Sequence, residues 1–453
     1  MTSFNKDLTL RETDIDGLFI FDFPVHGDNR GWFKENWQRN KMTSMGLPDF
    51  GPVQNNMSFN ARAGTTRGLH AEPWDKFVSV GTGAVFGAWC DLREGSPTFG
   101  AVVTTTITPD VGVYVPRGVA NGFQALENNT LYTYLVNDHW SPNATYSNVN
   151  LDMIDWPLPI TEISDKDKNH PVLADASPLP SRKVLVTGAA GQLGTALRAV
   201  FPDAEFVSRQ DLDITADLTT ARPWKQYSAI INAAAYTGVD TAETERATAW
   251  AVNATAVGNL ATIARENNLT LVHVSSDYVF DGAAQSYDEQ APFSPLGVYG
   301  QSKAAGDIAA STAPRHYVVR TSWVIGDGNN FVKTMASLDQ RGIAPSVVDD
   351  QIGRLSFTQD IAAGIKHLLE SGAEYGTYNL SNSGEPASWA DIAREVFRDA
   401  SQVTGVSTAE YFADKPEAAP RPLNSVLDLS KLAATGFEAP DWRSRLSDYL
   451  EEL

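Results

Sequence analysis

The sequence predicts two domains, an all-β sandwich or barrel followed by an α/β unit on a doubly wound parallel sheet. Two patterns and one motif lead to this reading. Through about residue 160 the chain consists of short segments rich in Val, Thr and aromatics, with Gly or Pro between them, as in antiparallel sandwiches and barrels. After Arg182, apolar strands alternate with helical stretches, the βαβ rhythm of a parallel sheet. Near the change of pattern stands "VLVTGAAGQLG", Val184 to Gly194, a buried strand, a glycine-rich turn and a helix start. Such a turn ordinarily opens its domain, yet more than a third of the chain precedes it.

Taken in order, the first strands are "KFVSVGTGAVFGAWCDL", "TFGAVVTTTITPD", "VGVYVPRGVANGFQAL" and "TLYTYLVNDHW", apolar or alternating runs broken by turn residues. The segment "ADASPLPSR", Ala174 to Arg182, has two prolines and no periodicity. The domains are therefore placed at residues 1–175 and 183–453, with 176–182 as a linker. In the second part "AIINAAAY", "LVHVSSDYVF" and "HYVVRTSW" read as strands and "ATAWAVNATAVGNLATIARENN" as a helix. The chain shows no internal repeat and no low-complexity tract.

Composition narrows the classes of function. The 453 residues, 42% of them hydrophobic, suffice for two cores. A formal net charge of −20 argues against nucleic acid or an anionic membrane as partner. It leaves room for a small anionic ligand held by local Arg and Lys. Cys90 is the only cysteine, so no internal disulfide forms and a reducing cytoplasm is expected. The N-terminal "MTSFNKDLTLRETDIDG" is polar and acidic and reads as no secretory leader. No apolar run is long enough to span a bilayer.

In the second part Gly188, Gly191 and Gly194 follow G-x-x-G-x-x-G directly after a strand. Glycines there let the backbone approach a pyrophosphate, and the helix N-terminus supplies amide donors. The next strand, "AEFVSRQDLDI", ends at Ser208 and Arg209 rather than at an acid, which favours a 2′-phosphate and so NADPH over NADH. In "YGQSK", Tyr299 and Lys303 are four apart and share a helix face. A neighbouring ammonium is expected to make the phenol a usable acid near neutral pH. Upstream, "HVSSDYVFDG" ends a strand in Ser275, Ser276 and Asp277, and a hydroxyl there can bond the carbonyl oxygen that Tyr299 protonates.

In the first part "RGLHAEPWDK" carries His70. A metal site of the β-barrel type needs a second histidine close by, commonly H-x-H. His70 is followed by Ala71 and Glu72, so no metal is expected. A lone histidine is most often a packed or surface residue. Beside it stand polar residues in strand-like surroundings: Arg30 and Glu35 in "DNRGWFKEN", Gln54 and Asn56 in "VQNNMS", and Tyr134 in "YTYLV".

The set of glycine turn, Ser276, Tyr299 and Lys303 is that of an extended short-chain dehydrogenase/reductase. From about Lys183 onward, "NAAAYTGVDTAE", "SSDYVFDG", "VYGQSK", "RTSWVIGDGNNFVKTM", "VVDDQIGR" and "RPLNSVLDLSKL" resemble the dTDP-4-dehydrorhamnose reductase family. The resemblance implies a Rossmann-type sheet closed by a small substrate-binding C-terminal lobe. It implies that Gly188, Gly191, Gln192, Leu193 and Gly194 hold the dinucleotide, with Arg209, Asp213 and Ile214 near the adenosine half. Ala235, Tyr236 and Thr237 flank the cofactor, Tyr299 and Lys303 also touch it, and Ser276, Asp277 and Trp323 meet the sugar. This chain departs from the family in having Ser276 for a usual Thr and "RLS" for "PT" after the "DDQIG" segment. Thr195 and Ala196 stand where some members carry a glutamate of a metal-linked dimer, so no magnesium site is expected.

Across about residues 10 to 175, "DNRGWFKE", "VQNNMSF", "RGLH", "DLREGSPTFG", "VPRGVANGF" and "ISDKDKNHPVL" resemble the dTDP-4-dehydrorhamnose 3,5-epimerase family. The resemblance implies a cupin-like jelly roll that dimerises. His70 is then the general base, Asp167 its carboxylate partner and Tyr134 the opposing acid, while Lys76 stabilises an enolate. Arg30, Glu35, Gln54, Asn56, Arg67, Lys76 and Lys166 line the nucleotide-sugar site. Asn121 replaces a substrate-contacting histidine of the family, and the loop from His70 to Lys76 is shorter than in many members.

The two resemblances join chemically. A 4-keto sugar has acidic protons at C3 and C5, and the epimerised product keeps the ketone that a hydride-transfer enzyme reduces. The expectation is a bifunctional enzyme converting dTDP-4-dehydro-6-deoxy-D-glucose to dTDP-L-rhamnose. NAD(P)H would serve the second step and no cofactor the first. Other readings remain: a reductase with a non-catalytic binding module in front, epimerisation at one carbon only, or a back half resembling the regulatory subunit of methionine adenosyltransferase. A nucleotide-sugar dehydratase fits less well, because "SSDYVFDG" lacks the acid after the hydroxyl in that family's "TDE" pattern.

Overall fold

A computed structural model describes residues 6–453. Met1–Asn5, the start of the segment read as no leader, lie outside it. The chain divides into two compact units, residues 1–181 and 182–453. Among the described residues, no helix is long and apolar enough to cross a membrane.

The first unit holds two antiparallel sheets. One has six strands in the order Thr9–Arg11, Phe19–Asp22, Val111–Val115, Lys76–Thr82, Thr130–Val136 and Gln54–Asn60. The other has five, Ser147–Asn148, Thr66–Ala71, Val119–Ala125, Val85–Asp91 and Val102–Ile107. A shared core joins Val78, Val80, Val113 and Tyr132 of the first sheet to Val85, Trp89, Ile107 and Phe123 of the second. The alternation read from the sequence thus becomes one face turned to this core. Strand Gln54–Asn60 is a sheet edge whose outward side chains include Met57, 68% exposed, and Phe59, 59% exposed. The segment read as a linker is partly fastened to this unit. Leu179 is fully buried, and its amide donates to the Leu92 carbonyl at 2.7 Å.

The second unit is built on six parallel strands in the order Glu205–Val207, Lys183–Thr187, Tyr227–Asn232, Thr270–Ser276, His316–Thr321 and Gly376–Asn379. Leu185, Ile230, Leu271 and Val318 pack on one face against helices Ala256–Glu266 and Val298–Ala310. Their next neighbours, Val186, Ile231, Val272 and Val319, pack on the other against Gln192–Val200 and Thr358–Glu370. Burial on both faces is why these strands read as continuous apolar runs. The strand order reverses between Lys183–Thr187 and Tyr227–Asn232, which opens a crevice at their carboxyl ends. A separate core contains Ile325, Val332, Phe357, Ile392 and Trp442.

Two glycines set close approaches that place the later site. A Cβ on Gly194 would fall 2.3 Å from the Gly188 carbonyl, so helix and turn meet only without a side chain. A Cβ on Gly300 would lie 2.1 Å from the Tyr278 carbonyl, which lets helix Val298–Ala310 press against the segment after Ser276. Gly258 is different, because a Cβ there would meet only Ala309 Cβ at 3.9 Å. Gly300→Ala should therefore destabilise the second unit by roughly 1–3 kcal/mol, as overpacking does. Gly258→Ala should stabilise it by roughly 0.5–1 kcal/mol through helix propensity. Calorimetric unfolding of both variants checks the opposite signs.

Candidate active sites

In the first unit a cleft of about 620 Å³ opens between the two sheets, lined among others by Arg67, His70, Glu72, Lys76, Asn121, Tyr132, Tyr134, Lys166 and Asp167. His70 lies on strand Thr66–Ala71, and its Nε2 is 2.9 Å from Asp167 Oδ1. Asp167 comes from the short helix Asp165–Lys168, which Ser164 caps by accepting the Asp167 amide at 3.1 Å. The Gly68 amide donates to Asp167 Oδ2 at 3.2 Å. Burial pushes the Asp167 carboxyl up, but the hydrogen bond and charge of His70 and the Gly68 amide outweigh it and hold the group at about 2. The carboxylate is thus ionised and fixes the tautomer and orientation of His70.

Asn121 is the register partner of His70 on the neighbouring strand and accepts from the Tyr132 hydroxyl at 3.2 Å. Tyr132 and Tyr134 are two apart on one strand, with ring centroids 5.9 Å apart. The Tyr134 phenol is pushed up by burial and by the nearby Glu72 charge, so it stays protonated and able to donate. Lys76 is buried, its Nζ 2.6 Å from Glu72 Oε2 and 5.7 Å from the Tyr134 ring centroid. The ammonium expected to stabilise an enolate is therefore also held by a carboxylate, Glu72, which nothing in the sequence singles out. Arg67 lines the cleft and donates to Asn60 at 3.3 Å, and Lys166 lies exposed at its rim.

Four predicted site residues are not among those lining this cleft. Arg30 is 84% exposed and paired with Asp28, and Glu35 is paired with Lys41. Gln54 donates to Asn56 at 2.8 Å, and Asn56 is the register partner of Tyr134. The hairpin His26–Asp28 with Gly31–Phe33 is exposed throughout, so nothing in its own unit draws Arg30 inward.

His170 is the residue the sequence reading missed here. It is 9% exposed, its ring centroid is 5.2 Å from that of His70, and its Nε2 is 3.9 Å from Asp167 Oδ1. Burial, and then the charge of His70, push His170 down, so it is neutral at physiological pH. No second histidine stands beside His70 in sequence; the fold brings one from the tail "NHPVL".

In the second unit the crevice is floored by the turn Gly188–Gly194. Gly191 caps helix Gln192–Val200 without a side chain, leaving the amides of Gln192, Leu193 and Gly194 to an outside acceptor. Ala235, Tyr236 and Thr237 follow the adjacent strand. The Tyr236 amide donates to Asn253 at 2.8 Å, and its hydroxyl is 2.6 Å from the Thr241 hydroxyl. Ile214 is buried. Arg209 is 78% exposed and 3.5 Å from Asp213, whose carboxyl the Thr215 hydroxyl and amide hold low.

Ser276 ends its strand and donates to Asp277 at 3.0 Å. Burial pushes the Tyr299 phenol up to about 12, against the hydrogen bond with Ser276. Lys303 donates to the Val274 carbonyl at 2.7 Å, and burial pulls it down to about 8. The expectation of a phenol lowered by its lysine is therefore not met: desolvation dominates, and the lysine spends one proton on a backbone carbonyl. Asp277 is pushed up to about 6 by burial. Trp323 stacks on Trp389 with centroids 3.8 Å apart, over Gly353, where a Cβ would come within 2.8 Å of its ring. Trp389 had no signal in the sequence beyond being aromatic. It also lines a second cleft of about 620 Å³ with Phe331, Phe412, Lys415 and Arg421.

Residues 182–453 match the family model described as RmlD substrate binding domain, and residues 12–175 that of dTDP-4-dehydrorhamnose 3,5-epimerase. A "Protein RmlC homolog" of Streptococcus pyogenes is 50% identical over 191 residues, 39% of this chain and 96% of that protein. The dTDP-4-dehydrorhamnose reductase of Aggregatibacter actinomycetemcomitans is 38% identical over 296 residues, 59% of this chain and 97% of that protein. A crystal structure of dTDP-4-dehydrorhamnose reductase from Bacillus anthracis in complex with NADP superposes with a TM-score of 0.55 at 35% identity, covering 60% of this chain and 100% of that one.

Asp167 yields a pH prediction. Its folded pKa lies below its ordinary 3.8, at about 2, so its contribution is full above 3.8 and fades as pH falls toward 2. Asp167→Asn should cost the first unit about 2 kcal/mol at pH 7. The loss relative to the parent should shrink toward zero below pH 2, as read by denaturant unfolding across pH.

Proposed function

Because the chain belongs to the RmlD family through residues 182–453 and to the dTDP-4-dehydrorhamnose 3,5-epimerase family through residues 12–175, we propose that one polypeptide performs two consecutive steps of dTDP-L-rhamnose formation. It is a bifunctional 3,5-epimerase and NADPH-dependent 4-reductase acting on a dTDP-4-keto-6-deoxy sugar. The observation that carries this reading is the hydrogen-bonded pair His70–Asp167 in a cleft of one unit, with Ser276, Tyr299 and Lys303 assembled in the other. A binding module would have no need of a buried, ionised carboxylate aimed at a histidine.

In the first unit, a cupin-like jelly roll, His70 removes the proton at C3 or C5 while Asp167 stabilises the imidazolium. The negative charge moves to the C4 oxygen, where Lys76, held by Glu72, offsets it. Tyr134, kept protonated by its surroundings, returns a proton on the opposite face. Asn121 supplies a neutral amide where the family has histidine, and Tyr132 orients it.

In the second unit the C-terminal lobe holds the sugar nucleotide. The uncapped amides of Gln192, Leu193 and Gly194 fit a pyrophosphate, and the Gly188–Gly194 approach leaves room for it. When bound, the nicotinamide supplies the hydride that C4 receives. Ser276 bonds the C4 oxygen and Tyr299 protonates it. A phenol held near 12 stays protonated at neutral pH and so is present as the proton donor, with the Ser276 hydrogen bond favouring its release against burial. Arg209, free to leave Asp213 at the surface, suits a 2′-phosphate. A cytoplasmic setting agrees with the buried thiol of Cys90.

We also propose a homodimer through the first unit. The support is the exposed apolar edge at Met57 and Phe59 and the exposed hairpin bearing Trp32, Phe33 and Arg30. Arg30 and Glu35 would then complete a second copy's cleft.

Two measurements test these assignments. Tyr299→Phe should abolish NADPH oxidation yet leave deuterium uptake from solvent at C3 and C5. His70→Asn should lower epimerisation by roughly 10²–10⁴-fold and regain NADPH oxidation when a separate active 3,5-epimerase is added. Native turnover of the unepimerised sugar by His70→Asn would instead make the first unit a binding module. For the dimer, Arg30→Ala and His70→Asn proteins, each slow alone, should recover deuterium exchange on subunit mixing. No recovery would confine each site to one chain.

A further inference from the structure

The histidine that the reaction leaves unused sits against the one it needs. His170 is 9% exposed, and neither ring nitrogen makes a well-formed hydrogen bond. The Gly68 backbone and the Asp167 charge are the neighbours that favour its protonated form, against burial and the His70 charge. A buried imidazole normally has partners for its nitrogens, and one without them calls for an explanation. Its Nε2 is turned toward Asp167 Oδ1 at 3.9 Å, and that oxygen is 2.9 Å from His70 Nε2. One ligand atom from each of the three residues lies within 4.8 Å of the other two.

Zinc-class ions hold imidazole nitrogens and carboxylate oxygens at about 2.0–2.2 Å, which puts tetrahedral neighbours roughly 3.4 Å apart. The separations of 2.9 and 3.9 Å bracket that value. Two nitrogens and one oxygen suit Zn²⁺, Co²⁺, Ni²⁺ or Cu²⁺ rather than Mg²⁺ or Ca²⁺. His70 is a third exposed and lines the cleft, so an ion has an entry path and an open fourth position. The exposed Lys166 ammonium opposes a dication and keeps the affinity below that of a closed structural site.

We propose that His70, Asp167 and His170 form a binding site for a divalent transition-metal ion, and that its occupancy switches the epimerase off. The first half stands on geometry alone; the second rests on His70 being the base. With Nε2 bonded to the ionised Asp167, the lone pair that makes His70 a base is the one on Nδ1. An ion on Nε2 takes that nitrogen's lone pair and displaces the hydrogen bond, and the ring's one proton moves to Nδ1. No lone pair then remains to accept a proton from the sugar.

The test uses the whole chain after chelator treatment. Titration with Co²⁺ should show one ion per chain and an intensified visible absorption, displaced by Zn²⁺. His170→Ala, and His170→Phe, which keeps the ring volume, should weaken binding at least as much as loss of a supporting group does, roughly 10–100-fold. Their unfolding transitions show that each is folded. Zn²⁺ should stop deuterium exchange at C3 and C5 in the parent at concentrations that leave both variants active. NADPH oxidation on pre-epimerised sugar should continue in all three. Absent binding, or binding indifferent to His170, overturns the site. Binding that needs His170 but leaves exchange untouched overturns the switch, and with it the use of His70 as base, while the metal site stands.

Discussion

Burying an ionisable group is costly unless something in the fold compensates it, and the working parts of both units follow from how that demand is met. Asp167 is 5% exposed yet ionised, because His70, the Gly68 amide and the cap at Ser164 all favour its charged form. Lys76 is equally enclosed and is matched by Glu72. Deeper in the second unit Arg320 and Asp307 form a closed pair at 2.9 Å, both almost fully buried. Remove one member of any of these and the other is left as an uncompensated charge, which is far more damaging than the net worth of the pair.

Where compensation is withheld, the group changes state instead. Asp277 follows strand Thr270–Ser276, Tyr299 and Lys303 come from helix Val298–Ala310, and burial drives all three toward neutrality. That suits a site that must deliver a proton to a ketone, since the phenol is kept loaded rather than ionised in advance. His170 is another case: enclosed, neutral and poorly partnered beside the ionised Asp167. The contrast between a carboxylate held ionised and a phenol held neutral separates the two chemistries on one chain. The first must take a proton from carbon and the second must give one to oxygen.

The strands and helices were legible because each depends on a short window of residues. Alternation marked the sandwich strands, and consecutive apolar pairs such as Leu185–Val186 and Ile230–Ile231 marked strands covered on both faces. The turn at Gly188–Gly194 was legible for the same reason. His70, Tyr134, Ser276, Tyr299 and Lys303 could be picked by residue type and motif. Asp167 could be reached only through family resemblance, since in isolation it looks like one more charge in "SDKDKN". Glu72 stood beside His70 in plain view, but nothing local says that it turns to Lys76.

Local sequence therefore determined the two fold classes, the order of the elements and the kinds of chemistry available to each half. Tertiary structure alone decided which groups meet, as with the bond between His70 and Asp167 across 97 residues. It also left Arg30 outside its own unit's cleft and brought His170 against the dyad. Protonation was likewise decided there, and at Tyr299 it ran opposite to the local expectation. The physical reason is that periodicity and turn chemistry are short-range, whereas desolvation and charge pairing depend on everything packed around a side chain.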